Sequence, residues 1–304
     1  LGPRPLPAEA AVSAAGASLP LAATEILASL ASHRVLSTPQ VRAIHFPERS
    51  PRWARMALAR LAEAGLAAFV ANLGAPGAPR RLWFVTERGA RAALEAGLLA
   101  EMPRLLDAEA AAGPLQAHTL AVNDAAICFL GAARERGDEC GPLAWRHEVA
   151  HRLGYGRRAG TLFADAVLTY LRLTESEVVV EQRFLELDRA TLSVDRLAAE
   201  LARYGRLLRA VGKQGELLWR SQYPSFPPLV CVLAGAGRAA LERRRDAAVA
   251  ILRGDPAFAS APGLSIRLCL AEDLAKRGPF APIFTDARDP GEPLDWLLGG
   301  GEGG

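Results

Sequence analysis

Three acidic residues between Phe163 and Thr191, in FADAVLTYLRLTESEVVVEQRFLELDRAT, have the types and spacing to do chemistry together. Residues 165–173 and 177–188 are rich in Val, Leu, Phe, Thr and Tyr, and the polar Thr174, Glu175 and Ser176 supply a turn, so the stretch predicts a β-hairpin. Alternation puts Glu186 and Asp188 on one face, with Leu185 and Leu187 on the other. A turn centred near Glu175 makes paired positions sum to about 350, which sets Asp165 opposite about position 185 on a strand roughly 4.8 Å away. Carboxylates that close, in strands otherwise built for burial, repel one another and titrate upward unless a cation sits among them. The competing reading is a solvated hairpin face.

Two further patterns compete for attention. His147-Glu148-Val149-Ala150-His151 is a literal H-E-x-x-H. On a helix its histidines share one face and can hold Zn²⁺, with Glu148 as general base of a metallopeptidase. The third ligand is missing: the long form of the motif wants His where Arg157 stands, and Glu175 and Glu177 read as a strand turn. The bland alternative is a chance match with surface histidines. Gly235, Gly237 and Ala240 follow the apolar run 229–234 as G-x-G-x-x-A, a dinucleotide pattern, but Asp255 lies in an Asp-Pro turn where that site needs an acid at a strand end. Tyr204 shares a helical stripe with Val194, Leu197, Leu201 and Leu208 and reads as core rather than nucleophile. Arg243, Arg244 and Arg245 read as a solvated helix face, or one that touches a nucleic-acid backbone.

The elements around these residues predict an α+β chain of two domains. Residues 1–19, rich in Pro, Ala and Gly, suggest a flexible arm, and 299–304 a disordered tail. Between 20 and 107 come a short amphipathic helix with Ile26, Leu27 and Leu30, a second helix opened by Ser37-Thr38-Pro39, and a third over about Pro51–Ala64. Two strands follow around a Gly/Pro tip. That order is a winged helix-turn-helix. Arg49, Arg52, Arg55 and Arg60 on or beside the third helix and Arg80 and Arg81 on the returning strand are the candidate DNA contacts, helix to groove and hairpin to phosphate. A small helical module that binds protein or dimerises is the alternative. Residues 108–117 suggest a linker. The second domain, 118–298, opens with a helix from His118, carries HEVAH on another, and continues through the acidic hairpin to strands at 229–234, 264–270 and 282–285, a mixed sheet flanked by helices.

Bulk properties exclude several classes. Half of the 304 residues are apolar, enough for two cores, so disorder is not expected. The net charge is +3, with Lys213 and Lys276 the only lysines, so the positive side is almost all Arg, the better residue for bidentate phosphate contacts. Cys128, Cys140, Cys231 and Cys269 match no C-x-x-C spacing and read as reduced thiols of a cytoplasmic protein. No apolar run of about 18 residues is free of charge, so no membrane partner is expected.

The succession of winged helix, His118-Thr-Leu-x-Val-Asn-Asp124, Trp145-x-x-Glu148, Asp165-Ala166 and Phe184-Leu-Glu-Leu-Asp-Arg-Ala-Thr191 resembles the replication-relaxation family of plasmid and mobile-element proteins over about residues 20–290. That resemblance implies kinship with relaxases whose catalytic domain has a restriction-endonuclease-like α/β core. Carried over, Glu148 is a helix acid, Asp165 the first strand acid, and Glu186 with Asp188 the second pair. Together they would hold Mg²⁺ or Mn²⁺ for nicking double-stranded DNA at a plasmid or mobile-element site. Zinc belongs only to the peptidase alternative. The endonuclease pattern has Lys two residues beyond the second acid, where this chain has Asp188, and often Pro where it has Ala164. Arg183, Gln182 and Arg189 are the candidates for the missing cation. A catalytically silent DNA-binding regulator of replication or transcription is the competing function, and a homodimer is compatible with either.

Overall fold

The structure, a computed structural model, describes residues 12–14, 17–72, 80–113, 116–156 and 159–297. Residues 1–11 of the expected arm, the hairpin tip at 73–79, Arg157 and the tail from 298 lie outside them. The chain divides into two compact units, Leu1–Asn123 and Asp124–Gly304. No helix among the described residues is long and apolar enough to cross a membrane.

In the first unit, β1 (Val12–Ala14) pairs with β2 (Ala17–Leu19). Helix α1 (Leu21–Ser32) buries Ile26, Leu27 and Leu30. β3 (Leu36–Ser37) leads straight into α2 (Thr38–His45). The predicted cap is there: the Ser37 hydroxyl accepts the Gln40 N–H and the Gln40 side chain accepts the Ser37 N–H, satisfying two donors that the first helical turn leaves open. Helix α3 (Pro51–Glu63) buries Ala54, Leu58 and Leu61 and is followed by Gly65, whose φ of +69° suits the turn into β4 (Ala67–Asn72). β4 and β5 (Arg80–Val85) are antiparallel, and β3 adds to the other side of β5, giving the order β3-β5-β4. Thr86 caps α4 (Glu87–Glu95), and α5 (Ala108–Ala111) is a single turn. The division at Asn123 falls within α6 (Gln116–Arg136).

The second unit is a mixed six-stranded sheet of order β11-β10-β9-β8-β7-β6. β6 (Trp145–Arg152), β7 (Thr161–Leu173) and β8 (Val178–Asp188) form an antiparallel meander. Helix α7 (Val194–Leu208) and a 3-10 turn at Leu218–Ser221 cross over to β9 (Leu229–Leu233), parallel to β8. Helix α8 (Arg238–Gly254) and the short α9 (Pro256–Ala259) lead to β10 (Ile266–Leu270), parallel to β9, and α10 (Ala271–Arg277) precedes the antiparallel β11 (Thr285–Asp286). Parallel neighbours need such helical crossovers, and the helices cover the apolar sheet. Phe184, Leu197, Leu201, Tyr204, Leu229, Leu233, Leu252 and Ile266 share the main core.

Three places depart from expectation: β1 and β2 pair within the expected arm, α5 lies within the expected linker, and β6 replaces a helix. HEVAH lies on β6, not on a helix. Helical spacing of two histidines says nothing about the partners available. Residues 145–152 find an antiparallel partner in β7, from Trp145↔Leu168 to Arg152↔Thr161 with a break at Glu148, and that ladder outweighs local propensity.

Candidate functional site

The hairpin pairs Ala166 with Leu185 and Leu173 with Val178, a register within one residue of the predicted one. The next step along the ladder sets Asp165 beside Glu186, and there the backbone pairing gives way. The Asp165 carboxylate instead accepts the Leu187 N–H at 2.8 Å. Burial and the Asp165 charge push the Glu186 carboxyl well above the usual carboxylate range.

Helix α7 closes over this pair. The buried Tyr204 donates its hydroxyl to Glu186 Oε1, so Tyr204 is core, as read, with its polar end spent on the acid. One turn earlier, Glu200 has its carboxyl raised by partial burial and then by the charges of Asp165 and Asp188, against the pull of Arg203. Cys231, directly across from Glu186 on β9, has its thiol pushed up by burial and by the same three acids.

Asp188 ends β8 and is buried at 8% exposure. Arg244 from α8 grips it with both arms, Nε to Oδ2 at 2.5 Å and Nη2 to Oδ1 at 2.9 Å. The Ala190 N–H adds a third contact at 3.3 Å. The strand ends meet closely here: Ala234 N–H bonds Asp188 O at 2.7 Å, and a Cβ on Gly235 would lie 2.4 Å from Arg189 O. Gly235, at φ +83°, therefore serves chain packing, and α8 begins beyond it.

Glu148 sits on β6 where the flanking pairs His147↔Ala166 and Val149↔Ala164 bring its backbone opposite Asp165. It is exposed, with φ +48°, an uncommon conformation for a residue with a side chain. The helix acid of the resemblance is thus a strand acid. The histidines beside it cannot converge: four residues of strand separate them by about 13 Å, against metal–nitrogen distances of about 2 Å. His151 is not a surface residue either. It is 1% exposed, its Nε2 lies 2.7 Å from the Tyr223 hydroxyl, its ring abuts Phe184 edge-on, and burial lowers its pKa to about 4, leaving a neutral core imidazole. The zinc-peptidase arrangement loses its premise. Among the described residues no three His, Cys, Asp or Glu side chains form a ready metal cage.

Of the candidate cations near the strand acids, Arg183 is spoken for. It is buried, paired to Glu181 at 2.9 Å and stacked over Trp296 at 4.8 Å. A cation that reaches one of these acids, Asp188, is Arg244, hidden in a run of three arginines. Successive helical residues point about 100° apart, so the three side chains spread over about 200° and need not share one role, a signal that does not say which one turns inward. Glu200 and Tyr204, at i and i+4 on the helix after the acidic strand, carried a similar one.

In the first unit Arg49, Arg52, Arg55, Arg60 and Arg81 are all exposed, and Arg80 opens β5. Arg55 and Arg81 line one cleft of about 540 Å³ together with Arg42, Thr38 and Trp83. Arg81 also stacks on Phe69 at 4.4 Å, and Arg49 on Trp53 at 5.3 Å. Arg60 lines a different, apolar cleft with Trp53 and Met56.

Comparison with curated proteins and with solved structures returned no match. Residues 27–218, well over half of the chain and including every strand acid described above, match the replication-relaxation family. The chain therefore belongs to the replication-relaxation family, which points to a role in plasmid replication or relaxation.

Proposed function

We propose that this protein binds double-stranded DNA and nicks one strand in plasmid or mobile-element replication or transfer, using Mg²⁺ or Mn²⁺. The observation that carries the reading is the Asp165–Glu186 pair: two acids from neighbouring strands, set side by side at the end of an otherwise apolar ladder, with the Glu186 carboxyl pushed well above the usual carboxylate range. A hard divalent cation prefers such oxygen donors and would bind at the expense of protonation of Glu186. When bound, it would polarise the scissile phosphate and favour departure of the 3′ oxygen. Asp165 and Glu186 are its ligands in this reading. Tyr204 fixes the orientation of Glu186, and Glu148 and Glu200 border the pair. The sequence of an antiparallel meander, a crossover helix and a parallel strand, with the acids at adjacent strand positions, supports an endonuclease-like core.

The first unit is proposed as a winged helix. Its support is the element order α1-β3-α2-α3-β4-β5 with strand order β3-β5-β4, and an α3 whose exposed side carries Arg52, Arg55 and Met56. That face suits the major groove, with Arg81 on the hairpin for phosphate.

A silent, DNA-binding replication regulator is the second reading, favoured by the lock of Arg244 on Asp188 and by the absence of a ready metal cage among the described residues. Supercoiled plasmid incubated with Mg²⁺ or Mn²⁺ separates the two. The nuclease reading expects nicked circles from the native protein and a loss of about 10³-fold or more in Asp165→Asn and Glu186→Gln, because each removes charge from the metal's ligand set. Intact plasmid at all protein concentrations, with DNA binding retained, supports the regulator.

A further inference from the structure

We propose that Arg244 is the group that meets the scissile phosphate beside the Asp165–Glu186 pair, and that Asp188 is its holder. This rests on the nuclease reading above. The acidic cluster alone is a poor place for DNA: Asp165, Glu186, Asp188 and Glu200 surround one short length of sheet, and a phosphate brought there meets like charge. Part of that charge must be answered by the fold itself. The strand carrying the acids supplies no cation, since Glu186 and Asp188 are separated only by Leu187 and Arg183 is committed to Glu181 and Trp296.

Arg244 arrives from outside the strand. Glu186 and Asp188 are two residues apart on β8, so they share a side and lie about 7 Å from each other. A guanidinium gripping both oxygens of Asp188 is therefore carried to the side of the sheet on which Glu186 stands. Cys231 and Leu233 of β9 pair with those two acids, and the thiol of Cys231 is in electrostatic reach of Asp165, Glu186, Asp188 and Arg244 alike, which ties all four to one locality. The Arg244 side chain keeps 13% of its surface open while Asp188 keeps 7%, so the outer member of the pair is the cation. An arginine clasped by one carboxylate uses two of its five donors, leaving others for a phosphate oxygen. The arrangement holds a rigid, always-charged fork in place before DNA arrives, and a preorganised donor is what stabilises charge developing on a phosphate.

A purely structural ion pair makes a different prediction, because its two members are then equivalent. Full-length Arg244→Gln, Arg244→Lys and Asp188→Asn are compared for single-turnover nicking at saturating plasmid, for the salt dependence of DNA binding in Ca²⁺, and for thermal melting. The expected result is an asymmetry. Arg244→Gln loses about 10²-fold or more in the nicking step, the typical effect of deleting one preorganised donor. Asp188→Asn loses at least tenfold less, although both variants break the same pair and melt alike. Arg244→Lys keeps part of the rate. The slope of log affinity against log salt falls by about one more in Arg244→Gln than in Asp188→Asn, reporting one lost phosphate contact. Equal losses in Arg244→Gln and Asp188→Asn, in rate and in slope, overturn the proposal while leaving nicking by the native protein intact. A native protein that never nicks, but whose slope still shows the asymmetry, removes the nuclease reading and leaves Arg244 as a phosphate contact.

Discussion

Charge is handled in opposite ways in the two units. The arginines around α3 and β5 stand exposed, resting on Trp53, on Phe69 or over open clefts, and among the described residues no carboxylate pairs with Arg52, Arg55 or Arg60. In the second unit the charged groups at the end of β8 are largely buried and each has a partner within the fold: Glu186 the Tyr204 hydroxyl, Asp188 the Arg244 guanidinium. The contrast follows from solvation. An exposed guanidinium keeps its water and can leave its counter-charge to a ligand, whereas a desolvated one must find its partner before the chain folds stably. The first surface leaves its charges open to solvent; the second holds its groups at fixed distances.

The sharpest way to break this contrast is to delete one charge from each unit. Arg244→Ala leaves Asp188 buried without its partner and is expected to cost about 2–4 kcal/mol, read from the denaturant midpoint. Arg52→Ala, on a solvated face, is expected to stay within about 0.5 kcal/mol. Equal effects would show that burial at β8 is not what distinguishes the two regions.

A smaller effect separates them by pH. His151 has a folded pKa of about 4, below its ordinary 6.5, so the unfolded chain binds a proton more readily. Its contribution to stability is complete above about pH 6.5 and declines as the pH falls toward 4, by roughly 1–3 kcal/mol. Urea melts across that window should show the slope in the native protein and a flatter profile in His151→Gln. No flattening would mean that the buried imidazole does not govern acid sensitivity.

The smallest changes belong to the exposed arginines. Arg55→Ala and Arg81→Ala should each weaken DNA binding by about 1 kcal/mol and lower the salt slope by about 0.9, with melting temperatures unmoved. Loss of folding in either variant would place those side chains on the buried side of the comparison.

Legibility followed the range of the interactions. The hairpin could be read because its turn, its alternation and its acids lie within one short stretch, and the register came within one residue of Ala166↔Leu185. The α2 cap could be read because Ser37 and Gln40 are one turn apart. β6 could not, since its strand state depends on pairing with β7 and its letters mimic a helical metal motif. Nor could Arg244 be singled out: its partner Asp188 is 56 residues away, and nothing in Arg243-Arg244-Arg245 says which one turns inward. Among the strand acids, Asp165 and Glu186 were legible as a pair. The tie between Asp188 and α8 was not.

The central claim is that a divalent cation binds the Asp165–Glu186 pair at the expense of protonation of the raised Glu186 carboxyl. Calorimetric titration of the full-length protein with Mn²⁺, run at one pH in two buffers of different ionisation heat, tests it directly. The account predicts saturable binding accompanied by proton release, tighter as pH rises because the raised Glu186 carboxyl must deprotonate, and lost in both Asp165→Asn and Glu186→Gln. Mn²⁺ binding that persists unchanged in those variants, or no binding by the native protein at any pH where it remains folded, would contradict it.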